Sequence, residues 1–503
     1  MSAPSDHAVR YVHTLSGEGR LTPEQIGGKA WSIQHMLSLG IPVPPAFVLT
    51  TAVCREYHDN GLELPADVNN ELSGAMAYLE QRTARRFGQP DNPLLVSVRS
   101  GAATSMPGMM DTVLNLGMNA DIENALAVEA GDHDYAAETR SRFIDQFEKI
   151  VGIVPPESPW KQLDLAIRAV LNSWHSTRAR AYRNFHDIPN EGGTAVTIQA
   201  MVFGNLDDQS GTGVLFSRNP LTGASQPYGE WLPRGQGEDV VSGRKDAQRL
   251  DALATAMPAV HRELLAATAI LEQHGRDVQD IEFTVQSGVL WLLQSRAAKR
   301  SPEAALRCAV QLRRENLIST DEALNRLTPE HVRALQRPSL APETVAGAVL
   351  TASGKPASPG IATGTVVTDT DEAERLADDG QAVILARSTT DPNDVAAMSM
   401  SVAVLTELGG STSHAAVVCR EMAVPCIVGC GVNTVTALAG QVITVDAGNG
   451  AVYLGELPIH PPVSTQDEDL HTVEQWLRKK LSDYGRADLA TLMERHQQQG
   501  VPE

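Results

Sequence analysis

Glu407-Leu408-Gly409-Gly410-Ser411-Thr412-Ser413-His414-Ala415-Ala416-Val417-Val418 is the stretch on which the fold turns. The apolar run Ser401 to Leu405 leads into it and reads as a buried strand. Two glycines then allow a tight turn with unusual backbone angles. Small hydroxyl residues follow where a helix takes its N-cap. Strand, glycine turn and helix start predict that His414 lies in the first turn of a helix. Its ring would be exposed at a tip, near backbone N–H groups that favour an anion. A histidine held there can be a nucleophile that carries a phosphoryl group. The same spacing suits a histidine that only caps or packs a helix, and the residues alone leave both readings open.

The run Gly409-Gly410-Ser411-Thr412-Ser413-His414-Ala415-Ala416-Val417-Val418 resembles the phosphohistidine signature of enzymes that make or use phosphoenolpyruvate. Within that group it is most similar to the pyruvate, phosphate dikinase family. The resemblance implies that His414 is the phosphate carrier, and the other segments can be read by how they would serve it.

Composition bounds the rest. A chain of 503 residues is too long for one core, and its length suggests three or four domains. Hydrophobic residues at 42% with charged residues at 20% are ordinary for a soluble globular protein. A formal charge of −20 argues against nucleic acid or an anionic membrane as the main partner. A polyphosphate must therefore be gripped by local Lys and Arg or by a divalent cation. Met1 to Leu15 is polar and lacks the apolar core of a signal peptide, and no apolar run approaches membrane-spanning length. Five cysteines show no disulfide-framework spacing. Cys419, Cys426 and Cys430 lie near His414 but match no zinc pattern, so they read as buried thiols of a reduced, cytoplasmic protein.

Moving outward, Gly27-Gly28-Lys29-Ala30 opens a helical pattern that Gly40 to Pro44 stops. A glycine pair before a lysine at a helix start can cradle phosphate, with Lys29 as a point charge, although this stretch lacks P-loop spacing. Leu94 to Val98 reads as a strand ending in Arg99-Ser100-Gly101-Ala102. An arginine there can hold a phosphate bidentately, or simply pair with a carboxylate. Val98 to Ala102 with Met106 to Asn115 resembles the dikinase nucleotide-binding domain more than the sister enzyme that uses water in place of phosphate. Residues 120 to 190 show helical spacing and no evident chemistry. Ala195 to Phe203 and Thr212 to Arg218 read as strands, closed by turn residues.

A hairpin follows. Asp280-Ile281-Glu282-Phe283-Thr284-Val285 and Val289 to Arg296 flank Gln286-Ser287-Gly288. Side chains alternate along strands, so Asp280 and Glu282 share a face, as do Gln294 and Arg296. Two carboxylates two apart suit Mg²⁺ bridging phosphates, and an arginine beside them can neutralise a transferring group. Such a polar face is either surface or site.

The family resemblance implies a multidomain α/β protein. An ATP-grasp-like nucleotide-binding domain would span residues 1–340, with a helical insert at about 120–190. A linker at 341–353 would lead to a swivelling phosphohistidine domain of β/β/α type at 354–456, followed by a helical tail at 457–503. The resemblance further implies that MgATP binds with Lys29 and Arg99 on its phosphates and with the strand holding Gln199 along the adenine. Glu238, in Gly235-Gln236-Gly237-Glu238, would be a ligand for metal or ribose. Asp280 and Glu282 would hold Mg²⁺, and Gln294 and Arg296 would complete the transfer site.

Inorganic phosphate, and pyruvate or phosphoenolpyruvate, are the further partners that the family implies. The family's pyruvate-binding barrel has no counterpart in the sequence, which predicts that a separate protein supplies it. Two other expectations stand beside this one: a phosphotransferase acting on another small molecule, and a non-catalytic nucleotide-binding regulator. In the tail, Leu470, Val473, Leu477, Leu481 and Tyr484 form the stripe of a single predicted helix, with Ser464 and Asp467 as a capping pair.

Overall fold

The structure is a computed structural model that describes residues 10–106, 108–241, 247–335, 339–340, 342–460, 467–481 and 487–499. The chain divides into two compact units, residues 1–211 with 283–295, and residues 212–282 with 296–503.

The first unit is built on an antiparallel sheet in the order Val12–Thr14, Ala46–Leu49, Ala195–Ala200, Val96–Gly101, Thr112–Leu116. Every residue of Ala46–Leu49 and of Ala195–Ala200 is buried, so these strands are covered on both faces. Helices Pro23–Ser38, Thr51–Asp59 and Pro159–Ser173 pack against the central strands. Residues 120–185 form four helices, Ala120–Ala130, His133–Val151, Pro159–Ser173 and Thr177–Phe185. Asn119, Asp132 and Ser176 cap three of them by accepting a backbone N–H from the first turn.

The second unit contains an eight-stranded sheet in the order Leu350–Ser353, Ala451–Leu454, Val442–Asp446, Ile361–Val367, Val383–Arg387, Ala403–Thr406, Cys426–Val428, Lys355–Ser358. Its central run from Ile361–Val367 to Cys426–Val428 is parallel. One face packs Val383, Leu385, Val404 and Cys426 with Ala416 and Cys419, and the other packs Ile384, Leu405, Ile427 and Val445. All five cysteines of the chain are buried.

The tail differs from the single helix predicted. It is two helices, Glu468–Lys480 and Leu489–Gln499. Leu481 leaves helical backbone angles, and Asp488 starts the second helix by accepting the Thr491 N–H. The apolar stripe is inward: Leu470, Val473, Leu477 and Leu481 join Leu492 and Met493 in a core with Leu306, Val310 and Leu312. Asp467 caps the first helix, whereas Ser464 and Tyr484 lie outside the described residues.

Candidate active site

In the first unit the glycine–lysine turn and the arginine strand meet. Gly27 breaks its helix with φ 72° and ψ 158°, a region that only glycine adopts readily. A Cβ there would lie 2.1 Å from the Gly101 carbonyl oxygen, and the Gly28 N–H donates to the Ala102 carbonyl at 2.9 Å. Lys29 therefore begins a fresh helical turn beside the end of the Arg99 strand. Arg99 faces Thr197 across the ladder, while Ser97 faces Gln199. Directly opposed residues share a face, so Arg99, Thr197 and Gln199 lie on one side of the sheet. Arg99 Nη2 donates to Gln294 Oε1 at 3.4 Å. Gln199 is buried and donates Nε2 to the Pro44 carbonyl at 3.2 Å, and the Thr197 hydroxyl is buried without a hydrogen-bond partner. This unit brings together Lys29, Arg99, Gln199 and Gln294.

Arg178, on the helix Thr177–Phe185, secures the loop after the Arg99 strand. Its Nε donates to the Met109 carbonyl at 3.2 Å, and its Nη2 pairs with Asp111.

Asp280 and Arg296, both in the second unit, come together at the open ends of the hairpin strands Gln279–Gln286 and Val289–Ala297, whose turn residues Ser287 and Gly288 are at positive φ. The acidic face is no solvated surface. Asp280 is 4% exposed, its Oδ2 accepts Arg296 Nε at 2.8 Å, and its Oδ1 is buried with no partner. Asp280 is also the main reason that Arg296 is held charged above its ordinary range. Glu282 is half-buried on the same strand. Glu238 lies in the short helix Gly237–Val241, and its side chain is outside those described.

His414 opens the helix His414–Met422 with Ser413 as N-cap. Gly409, at φ 111°, makes the turn that a side chain would strain. The ring is half-buried rather than at an exposed tip. Its Nδ1 lies 3.3 Å from the Thr390 hydroxyl, and its Nε2 is buried without a partner. Burial pushes the His414 pKa down to about 4, against a smaller upward pull from the Asp391 carboxylate. The ring is neutral at physiological pH.

The parallel sheet explains the pairing of Thr390 with His414. Arg387 and Thr406 are in register on adjacent strands, so the loops at their C-terminal ends open side by side. The Glu230 carboxylate accepts the Ser411 and Thr412 hydroxyls at 3.2 and 2.8 Å, and the Tyr228 and Ser411 hydroxyls are 2.7 Å apart. Arg420, six residues after His414, is buried and donates to the Ser411 and Ala357 carbonyls. Its charge interacts with Asp280. Lys299 pairs with Glu421 at 2.7 Å. His414 itself makes no hydrogen bond or ion pair with Asp280 or Arg296 among the described residues.

Two family models match this chain: "Pyruvate phosphate dikinase, AMP/ATP-binding domain" over residues 60–268, and "PEP-utilising enzyme, mobile domain" over residues 380–450. The chain is 39% identical to pyruvate, phosphate dikinase 1, chloroplastic, of Zea mays, over 94% of its own length. It is 38% identical to pyruvate, phosphate dikinase of Rhizobium meliloti (strain 1021), over 93% of its length.

Over nearly its whole length the chain is similar to pyruvate, phosphate dikinases.

It spans 56% of the maize protein and 60% of the Rhizobium protein. The mixed α/β architecture, with an ATP-grasp-like nucleotide part and a mobile phosphohistidine part, is that of the dikinase family. The nucleotide-binding match contains Arg99, Gln199 and Glu238, and the mobile-domain match contains Thr390 and His414. Lys29 and the Asp280–Arg296 hairpin fall outside both.

Sequence reasoning missed Thr390, Glu230 and Arg420. Thr390 and Glu230 are remote from His414 in the chain and belong to no local motif. Arg420 carried one signal, a charged residue on the inward face of an otherwise apolar helix run.

Proposed function

We propose that this chain performs the phosphoryl-capture half of a dikinase reaction, taking phosphate from ATP onto His414. The observation that carries the proposal is the His414 environment: Nδ1 against the Thr390 hydroxyl, Nε2 without a partner, and a pKa of about 4. With the proton on Nδ1 and donated to Thr390, the lone pair is on Nε2. Nε2 attacks the β-phosphorus of ATP, the bond from that phosphorus to the α,β-bridging oxygen breaks, and AMP leaves. An oxygen of inorganic phosphate then attacks the outer phosphorus of pyrophosphoryl-His414. Pyrophosphate departs, and phospho-His414 remains.

Lys29 and Arg99 would bind the ATP phosphates, and Gln199 would lie along the base. Gln294 would hold Arg99 in place by the contact already described. Glu238 would contact ribose or metal. Arg296 would neutralise charge on the transferring group. Asp280 and Glu282 would hold Mg²⁺, for which the partnerless, buried Oδ1 of Asp280 is the fitting donor. Mg²⁺ takes few carboxylates, keeps waters and phosphate oxygens, and supplies charge neutralisation on the phosphates.

The phosphoryl group then passes to pyruvate, forming phosphoenolpyruvate, with the pyruvate-binding part provided from outside these 503 residues. The nucleotide domain at 1–340 and the phosphohistidine domain at 354–456 belong to this proposal, as does a cytoplasmic setting, which suits five buried thiols. No helix among the described residues is long and apolar enough to cross a membrane.

The test uses purified protein with Mg²⁺ and ATP labelled separately at the β and γ positions, with and without phosphate. Phosphate-dependent AMP and pyrophosphate, with β-label acid-labile on the protein and absent from His414→Ala, is the expected result. Stable label in His414→Ala, or no AMP and no label in the unaltered protein, overturns the proposal.

A further inference from the structure

Beyond the nucleotide segments, the first unit holds a cationic recess of about 320 Å³ on the helical insert, lined by His175, Arg180, Asn184 and Asn190. Arg183 lies behind it at 0% exposure. Its Nε donates to Asn190 Oδ1 at 2.8 Å and its Nη1 to the Trp174 carbonyl at 2.8 Å, while its Nη2 is buried with no partner. The guanidinium sits 4.0 Å from the centre of the Trp174 ring, which offsets part of its buried charge. No carboxylate pairs with Arg180 or Arg183 among the described residues. Asp187 and Glu191, the acidic residues nearest in sequence, are exposed.

His175 packs edge-on against His58 with ring centres 4.3 Å apart. Desolvation, then His58, Arg180 and Arg183, push the pKa of His175 down, as expected beside uncompensated positive charge. Arg180 and His175 thus line a recess backed by Arg183, with no carboxylate paired to either arginine among the described residues, in a protein of net charge −20. A fully buried guanidinium without a counterion is unusual enough to require a reason.

We propose that this recess is a binding site for a small dianion of the phosphate-monoester class, gripped by Arg180 and His175 over the buried charge of Arg183. Arginine forks match tetrahedral oxyanions bidentately, and Asn184 and Asn190 add amide donors. The site is separate from the Lys29 and Arg99 segments. The helix that carries Arg180 and Arg183 also carries Arg178, which holds the Met109–Asp111 loop. An anion bound in the recess therefore acts on the element that secures that loop.

The test is equilibrium dialysis of the full chain against radiolabelled inorganic phosphate, at constant ionic strength in chloride, comparing unaltered protein with Arg180→Glu and His175→Asn. Both altered residues are exposed, so both variants should keep the far-UV circular dichroism of the parent. About one bound equivalent should depend on Arg180, with affinity reduced at least about tenfold in Arg180→Glu and about threefold in His175→Asn. Because the readout is a difference between variants, phosphate bound at the nucleotide site cancels. Equal binding in all three proteins, or no saturable phosphate in the parent, overturns the assignment. Glycerol 3-phosphate competing for the Arg180-dependent equivalent would extend the site from free phosphate to esters. Failure of that ester to compete, with phosphate still bound, overturns the ester class.

Discussion

Acidification is the most direct perturbation of the proposed nucleophile. The His414 pKa falls from 6.5 to about 4, chiefly through burial, with Asp391 pulling the other way. Well above pH 6.5 the ring is neutral in folded and unfolded chains alike and contributes nothing to the pH dependence. Between pH 6.5 and about 4 the unfolded chain takes up a proton that the folded chain refuses, so stability falls as pH drops. The loss levels off below pH 4 at about 3 kcal/mol, from the usual ~1.4 kcal/mol per tenfold shift. At pH 5 about nine-tenths of His414 stays neutral, against about 3% for an ordinary histidine.

The assay is NMR of protein carrying ¹³Cε1-labelled histidine, with the His414 resonance identified by its absence from His414→Gln. A midpoint near 4, moving lower in Asp391→Asn, is expected. Urea unfolding followed in parallel should show a loss of stability on acidification about 3 kcal/mol greater in the parent than in His414→Gln. A midpoint near 6.5 would refute the burial argument.

Three other substitutions probe the remaining parts. Thr390→Val removes the hydroxyl proposed to fix the Nδ1 tautomer; rapid-quench labelling should show phosphoenzyme formation slowed about tenfold with ATP affinity unchanged, and Thr390→Ser should restore it. Gly27→Ala forces a Cβ against the Gly101 carbonyl in a glycine-only region; a loss of at least about 2 kcal/mol in denaturant titrations is expected, with ATP binding weakened more than about tenfold by calorimetry as Lys29 is displaced. Arg296→Ala strands the buried Asp280 carboxylate; urea unfolding should report a loss of about 3 kcal/mol, mostly recovered by adding Asp280→Asn.

The parts of this protein legible in its sequence are those encoded by neighbours in the chain. Strand, glycine turn and capped helix around His414 follow from residues 401 to 422, because turn chemistry and hydrophobic period act over a few positions. The Asp280–Arg296 hairpin was legible for the same reason, since strand alternation alone fixes which side chains share a face.

Burial and partners were not legible, because they depend on segments far away in sequence. The exposed tip expected for His414 is a half-buried ring because the parallel sheet opens the 388–391 loop beside it. The hairpin's acidic face, open between surface and site, is inside because Asp280 is enclosed and paired with Arg296. The tail's apolar stripe lies in a core that only the folded chain assembles, as two helices where the period suggested one. Local sequence set the elements and the chemistry each could present. Tertiary structure decided which groups lost water, and with it the low pKa of His414, since desolvation belongs to no single segment of the chain.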